Sequence, residues 1–550
     1  MLYTIFPIVF IIPALVAVDL VVDIDNGKIE GHLRNSPNKV AFRAFQGIPF
    51  AKPPLGDLRF QAPVPAENWT GILETKKDGY RCFSVAKDTD DENEDCLYIN
   101  VYTPILTQAN TTLLPVMAYI YGGGFTTGAS NYDFYGPDYL IEQDVIVVTS
   151  NYRVGPFGFL STADEIIPGN TGLKDQLLAL KWVQRNIRMF GGDPNKVIIF
   201  GQSAGAASVG LHILSKQSAG LFRGGISESG SGISNWAYLP DPTPYGYELA
   251  SLIDKNINIT TSSELLKYLQ SVPAKAIDIA STKTTIITKP RPVIEVEHDG
   301  AFLTKNLYES LKNGEINRVP LLIGANSEED ISLALDMESL KSRAAAYDQN
   351  LKKLVLQNMN IVNDSKLQEL GQIIKGFYLN SNESFQDNLG LAVAYNSETQ
   401  FFNPCVRHAD LQSQYTDVYL YKFSYAGVMG KNNNITLPGA EKVAHVEEMN
   451  YIFKINADGY DNSDLTQFPE NDVTTHNRMI KLWTNFAKYL NPTPEADSLL
   501  ENIVWPKVDP SNIHYMNIDT HLTVESNIKH GRYILWRDLF EKEAISPVVF

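Results

Sequence analysis

The stretch Val197-Ile198-Ile199-Phe200-Gly201-Gln202-Ser203-Ala204-Gly205-Ala206-Ala207-Ser208 decides the fold. Its first four residues are apolar and β-prone, which predicts a buried strand, and its last three are small enough to open a helix. Between them the chain turns so tightly that a side chain two residues before or after Ser203 would strike the neighbouring strand or helix, hence glycine at 201 and 205. Strand, Gly-x-Ser-x-Gly, helix is the context of a nucleophile elbow, which lifts a serine hydroxyl above the end of a sheet.

Outward from this centre, short β-rich runs recur at Val116 to Tyr121, Val145 to Thr149, Val319 to Ile323 and Val418 to Phe423. Between the second of these and the elbow strand lies Leu173 to Phe190, where Leu177, Leu178, Leu180, Trp182, Val183 and Ile187 recur at helical spacing. The alternation predicts an α/β protein with a large, mostly parallel central sheet flanked by helices. No repeat, low-complexity tract or linker divides the 550 residues, so a single large domain over residues 18–550 is expected. The acidic run Asp88 to Asp95 reads as a solvated loop.

Composition narrows the function. With 46 Lys and Arg against 63 Asp and Glu, the net charge of −17 repels a phosphate backbone and disfavours nucleic-acid binding. Three cysteines exclude a disulfide-built mini-fold and a Cys-rich zinc array, and no metal or cofactor is expected. Met1 to Ala17 is uncharged, largely apolar, interrupted by Pro7 and Pro13, and ends in small residues, so residues 1–17 read as a secretory signal peptide. No later segment is apolar for long enough to span a membrane. Asn-x-Ser/Thr sites at Asn68, Asn110, Asn258, Asn363, Asn382 and Asn434 fit export, and the expected location is extracellular. Oligomeric state is not legible.

A second glycine-rich turn, Gly122-Gly123-Gly124-Phe125, follows the strand at Val116 to Tyr121. Consecutive glycines let backbone N–H groups turn toward a developing oxyanion, so donors are expected from Gly123, Gly124 and Ala204. A nucleotide phosphate loop is the other reading, but the Gly-Lys-Ser/Thr ending it needs is absent. A serine nucleophile requires a histidine base and an acid to fix its tautomer, in the chain order Ser, acid, His. Order leaves His408, His445, His476, His514, His521 and His530. For the acid, the strand at Val319 to Ile323 runs into Glu328, Glu329 and Asp330; one can serve, and the other two are expected to face solvent, because crowding like charges in a buried site is unfavourable.

These residues carry a family resemblance. The segments Phe45-Gln46-Gly47-Ile48-Pro49-Phe50-Ala51, Glu94-Asp95-Cys96-Leu97-Tyr98-Ile99-Asn100-Val101, Asn151-Tyr152-Arg153-Val154-Gly155, Gly172-Leu173-Lys174-Asp175-Gln176 and Phe190-Gly191-Gly192-Asp193-Pro194 resemble type-B carboxylesterases of the cholinesterase/carboxylesterase family. The resemblance runs from about Asp23 to the C-terminal region and implies the α/β-hydrolase fold. It implies Ser203, Glu329 and His445 as the catalytic residues, with a helix at Glu448 to Phe453 after the histidine. Asp330 stands where the family usually has Gly, Lys442 to Ala444 replace its small lead into the histidine, and Glu328 stays the alternative acid. It also implies a Cys82–Cys96 bridge with Cys405 left as a core thiol, and structural salt bridges among Arg59, Glu94, Arg153 and Asp175.

The same resemblance bears on the substrate, a small-molecule ester. Cholinesterases hold a quaternary ammonium against a Trp in the first disulfide loop; Phe83 to Asp95 contains none, and Gln202 stands where those enzymes carry Glu. Trp236 resembles the acyl-pocket aromatic, and with Phe125 it is assigned to substrate binding. Gly-Gln-Ser-Ala-Gly-Ala, Arg59-Phe60 and Asp175-Gln176 are similar to the motif set of juvenile-hormone esterases among insect carboxylesterases. The expected function is a secreted hydrolase of neutral, mainly hydrophobic carboxylic esters, juvenile-hormone-like or odorant and xenobiotic. The alternative is a catalytically silent cholinesterase-like protein used for adhesion or ligand binding.

Overall fold

The elbow strand is the middle member of an eleven-stranded sheet in the computed structural model, which describes residues 19–84, 91–105, 112–286, 289–431 and 434–546. The signal-peptide reading, Asn110 and the start of the acidic run lie outside these residues. In chain order the strands are β1 His32–Asn35, β2 Ala41–Pro49, β3 Tyr98–Pro104, β4 Leu114–Ile120, β5 Ile146–Ser150, β6 Gly192–Gln202, β7 Gly224–Glu228, β8 Leu321–Asn326, β9 Val418–Phe423, β10 Tyr515–Ile518 and β11 Leu522–Glu525. Across the sheet the order is β11, β10, β9, β8, β7, β6, β4, β5, β3, β2, β1. From β10 through β5 every neighbour pairs parallel, and both flanks are antiparallel. This is the α/β sheet that the alternation of strands and helices predicts, in the α/β-hydrolase form that the family resemblance implies.

The parallel strands read as apolar runs because helices cover both faces. Val197, Ile198, Ile199 and Phe200 are fully buried, each worth about 1.5–3 kcal/mol relative to exposure. The helix expected at Leu173 to Phe190 is α1, Thr171–Asn186, followed by a 3₁₀ turn, Ile187–Phe190, that Gly191 closes at φ 90°. The strand expected from Val319 starts at Leu321, because Pro320 has no N–H for the ladder.

Register sets up the site. Ile120 pairs with Gly201, Gly201 with Ser227, and Ser227 with Ile323, so four parallel strands end level with one another. Gly122, Ser203, Ser229 and Ala325 each lie two residues beyond that row, at the carboxyl ends where ligands bind in parallel α/β sheets.

Away from the sheet, Cys82 and Cys96 are bonded, 14 residues apart in sequence, and Cys405 is buried and free. Arg59 meets Glu94 at 2.6 Å, and Arg153 meets Asp175 at 2.7 Å. The acidic run departs from the solvated-loop expectation within its described part. Glu94 turns inward because Arg59, itself held by the carbonyls of Leu269 and Val272, supplies a buried partner.

Candidate active site

Ser203 sits between β6 and α2, Ala204–Leu214, at φ 58° and ψ −121°, a conformation that non-glycine residues rarely adopt. The glycines around it are obligatory on steric grounds. A Cβ on Gly205 would fall 1.9 Å from the Ile120 carbonyl oxygen, and one on Gly201 would fall 2.5 Å from the same atom. Ser203 is fixed by its own N–H, which donates to the Glu228 carbonyl at 2.8 Å, while its Oγ has no protein hydrogen-bond partner among the described residues.

The glycine turn after β4 lies against the elbow: a Cβ on Gly122 would come 3.0 Å from that of Ser203. Gly123 and Gly124 adopt φ 110° and 61°, and their N–H groups bond to no protein acceptor among the described residues. Ala204 N–H heads α2, where the first turn of a helix leaves its donors free. Free donors on the two turns that meet at Gly122 and Ser203 are the kind of group an oxyanion needs.

His445 is the one candidate histidine whose ring meets a buried carboxylate. Its Nδ1 lies 2.5 Å from Glu329 Oε2, and its backbone N–H donates to the Glu329 carbonyl at 2.9 Å. Glu329 is fully buried, and its other oxygen accepts from Ser229 Oγ and from the Asn326 N–H, both at 2.6 Å. Gln202 Nε2 stands 3.2 Å from His445 Nε2. A carboxylate only accepts, so the ring proton sits on Nδ1, facing Glu329, and Nε2 is left as the acceptor toward Gln202. Burial disfavours the imidazolium, but the charge of Glu329, with Glu448 and Asp330 beyond it, outweighs burial and raises the histidine above its ordinary range.

The other histidines serve elsewhere. His408 is buried between Ser231 and Gln412, and His476 Nδ1 donates to the Tyr451 carbonyl at 3.1 Å; burial lowers both to about 4. His521 is exposed beside Glu501, and His514 and His530 lie outside the cluster.

Two expectations need correction here. Glu328 does not face solvent: it is 1% exposed, and its Oε2 accepts the Glu441 N–H at 2.9 Å. Burial raises its carboxyl, while Lys529 opposes the shift. Asp330 is half-buried and pushed up to about 6, chiefly by burial. The crowding of like charges is tolerated because cations arrive from a distant segment. The helix expected after His445 is only a 3₁₀ turn, Glu447–Tyr451, entered through Val446 at φ 79°.

Beside the histidine lies a run of aromatic rings. Phe159 meets Phe125 at 5.1 Å, Phe125 meets Trp236 at 6.5 Å, Trp236 meets Phe401 at 5.8 Å, and Phe401 meets His445 at 4.5 Å. Trp236 is anchored by its indole N–H on the Gln400 carbonyl at 2.7 Å.

A sequence model of the carboxylesterase family matches residues 18–536. The chain belongs to the carboxylesterase family. It is 34% identical to a juvenile hormone esterase of Tribolium castaneum, over 90% of this chain and 88% of the relative, and 32% identical to a carboxylic ester hydrolase of Bombus ignitus, over 92% and 90%. Its fold matches the crystal structure of juvenile hormone esterase from Manduca sexta with OTFP covalently attached, at a TM-score of 0.81 and 29% identity, covering 95% of this chain and 99% of that one. This carboxylesterase is therefore an ester hydrolase by family, with a small-molecule ester as substrate. Among the described residues no helix is long and apolar enough to cross a membrane.

Sequence reasoning missed Ser229, Glu448 and Phe401. Ser229 had one signal, the small-residue turn Ser229-Gly230 after a strand. Glu448 binds Asn326 and lies 3.4 Å from Ser229 Oγ; burial and then the charge of Glu329 push it up to about 7. Phe401 belongs to a π-helical turn, Glu398–Phe402, between two α-helices, and no helical periodicity announces such a turn.

Proposed function

We propose that this carboxylesterase hydrolyses neutral, mainly hydrophobic carboxylic esters through Ser203, His445 and Glu329, with an acyl-enzyme intermediate. The observation carrying this reading is the 2.5 Å contact of His445 Nδ1 with a fully buried Glu329, on a ring whose Nε2 is held as an acceptor at the elbow. Ser203 Oγ attacks the ester carbonyl and passes its proton to Nε2, and Glu329 stabilises the imidazolium. The N–H groups of Gly123, Gly124 and Ala204 receive the oxyanion. The imidazolium protonates the leaving alcohol, and water deacylates the serine by the same groups in reverse.

Phe125, Trp236 and Phe401 form a run of aromatic rings that ends on His445, which favours an apolar ester. Relatives named juvenile hormone esterase support a long terpenoid methyl ester within that class. Export through a signal peptide at residues 1–17 is part of the reading, and the glycosylation candidates Asn68, Asn258, Asn363, Asn382 and Asn434 are all exposed.

Labelling with an organophosphate tests the proposal. One equivalent is expected on the peptide bearing Ser203, together with turnover of a terpenoid methyl ester and a short acetate ahead of a choline ester. An unlabelled, intact peptide favours the adhesion or ligand-binding reading, and a preferred choline ester overturns the substrate class.

The Gln202 contact gives a second test. Gln202→Glu puts a carboxylate where an amide now faces Nε2, which favours the imidazolium. Catalysis needs neutral His445, so the acid limb of kcat/KM is expected to move up by roughly one pH unit. An unshifted limb would separate Gln202 from the working histidine.

A further inference from the structure

Carboxylates crowd around Glu329 from three parts of the chain. Glu328 and Asp330 share its turn, Glu441, Glu447 and Glu448 flank His445, and Glu398 lies on the π-helical turn; Glu328, Glu398, Glu447 and Glu448 are buried. Two cations come to this cluster from one short segment. Arg532 grips both oxygens of Glu398, at 2.5 to 3.0 Å. Lys529, whose side chain is 2% exposed, donates from Nζ to the Ser327 carbonyl and pairs with Glu441 Oε1 at 3.1 Å. Its ammonium lies 4.8 Å from the Phe402 ring centre, and its charge acts on Glu328. Lys422 takes the other oxygen of Glu441, at 3.1 Å.

The placement of Lys529 joins two turns. Ser327 is two residues before Glu329, and Glu441 is four residues before His445. The turns already touch through the Glu441 N–H on Glu328 and the Val443 N–H on Ser327 Oγ, at 2.9 and 3.2 Å. Lys529 adds the one buried ammonium bonded to both among the described residues. The backbone is bent to deliver it: Asn527, Lys529, His530 and Gly531 have φ of 57°, 50°, 56° and 80°. Three non-glycine residues in the left-handed region within four positions are unfavourable, and such strain persists only where surrounding contacts impose it.

We propose that Lys529 is a positioning residue for hydrolysis: its ammonium clips the Glu329 turn to the His445 turn and balances their carboxylates, holding acid and base in register with the elbow. The inference rests on the assignment of Ser203, Glu329 and His445. Lys529 touches no reacting atom, so its loss affects catalysis through geometry and charge, in which a displacement near 1 Å costs about 100-fold in rate.

The test is steady-state hydrolysis of a short aryl ester by the full chain, with wild type, S203A, K529M, K529R, E328Q and the K529M/E328Q double variant. K529M is expected to lower kcat by about 10- to 100-fold, with KM within about twofold. K529R is expected to restore most of that loss. Adding E328Q to K529M is expected to recover at least about fivefold, because removing both charges of a buried set is tolerated better than removing one. A K529M kcat above half of wild type overturns the clip, as does a loss that neither arginine nor E328Q relieves, which would mark plain packing. Should K529M not fold, the double variant decides alone: folded with at least about a tenth of wild-type kcat it supports the clip, and unfolded or slower it overturns it. If S203A is as active as wild type, the assignment of the nucleophile fails instead.

Discussion

Replacing Ser203 with alanine is expected to lower turnover of a short aryl ester by about four to six orders of magnitude, because members of a catalytic triad act as a unit. The structure makes this variant a clean probe. Ser203 Oγ has no protein hydrogen-bond partner among the described residues, so its removal strands no buried group. The strained backbone at φ 58° is held by Gly201, Gly205 and the Ser203 N–H on Glu228, none of which the substitution touches. An unchanged thermal midpoint should therefore accompany the loss. What survives is the contribution of the oxyanion donors and of binding, and it should be indifferent to His445→Ala in the same chain. If Ser203→Ala retained more than a tenth of wild-type hydrolysis, the nucleophile would have to be sought elsewhere.

The elbow was legible because sterics leave it almost no freedom. The 1.9 Å and 2.5 Å approaches of the Ile120 carbonyl to hypothetical Cβ atoms on Gly205 and Gly201 translate directly into two glycines at fixed spacing. The glycine turn at 122–124 was legible for a similar reason. The acid was not: three adjacent carboxyls offer one sequence pattern, and what separates them is where the turn after β8 points each side chain. Residue resemblance, not periodicity, pointed to Glu329. The expectation that Glu328 would face water followed from sound electrostatics applied to an incomplete set of charges. Lys529 and Arg532, some 200 residues downstream, supply the missing cations, and a contact at that separation leaves no local trace. Phe401 escaped because a π-helical turn rotates it out of the helical pattern on either side.

Glu329→Gln is the sharper experiment on the acid, with an expected loss of about 10⁴-fold in kcat. Glu329 Oε1 accepts the Asn326 backbone N–H at 2.6 Å, and an amide nitrogen placed there would set donor against donor. The new side chain must therefore keep its carbonyl oxygen toward Asn326 and turn its NH₂ toward His445. An NH₂ facing Nδ1 can only donate, which forces the ring proton onto Nε2, the nitrogen that has to receive the serine proton. The variant is thus nearly isosteric yet holds the base in the wrong tautomer. Glu328→Gln and Asp330→Asn leave the Nδ1 contact intact and are expected to lose less than about tenfold, since neither changes the tautomer. Steady-state kinetics on the three variants, each checked for folding by thermal unfolding, decides the assignment. A 10⁴-fold loss in Glu328→Gln with an active Glu329→Gln would move the acid one residue back and leave the 2.5 Å contact at His445 without a chemical role.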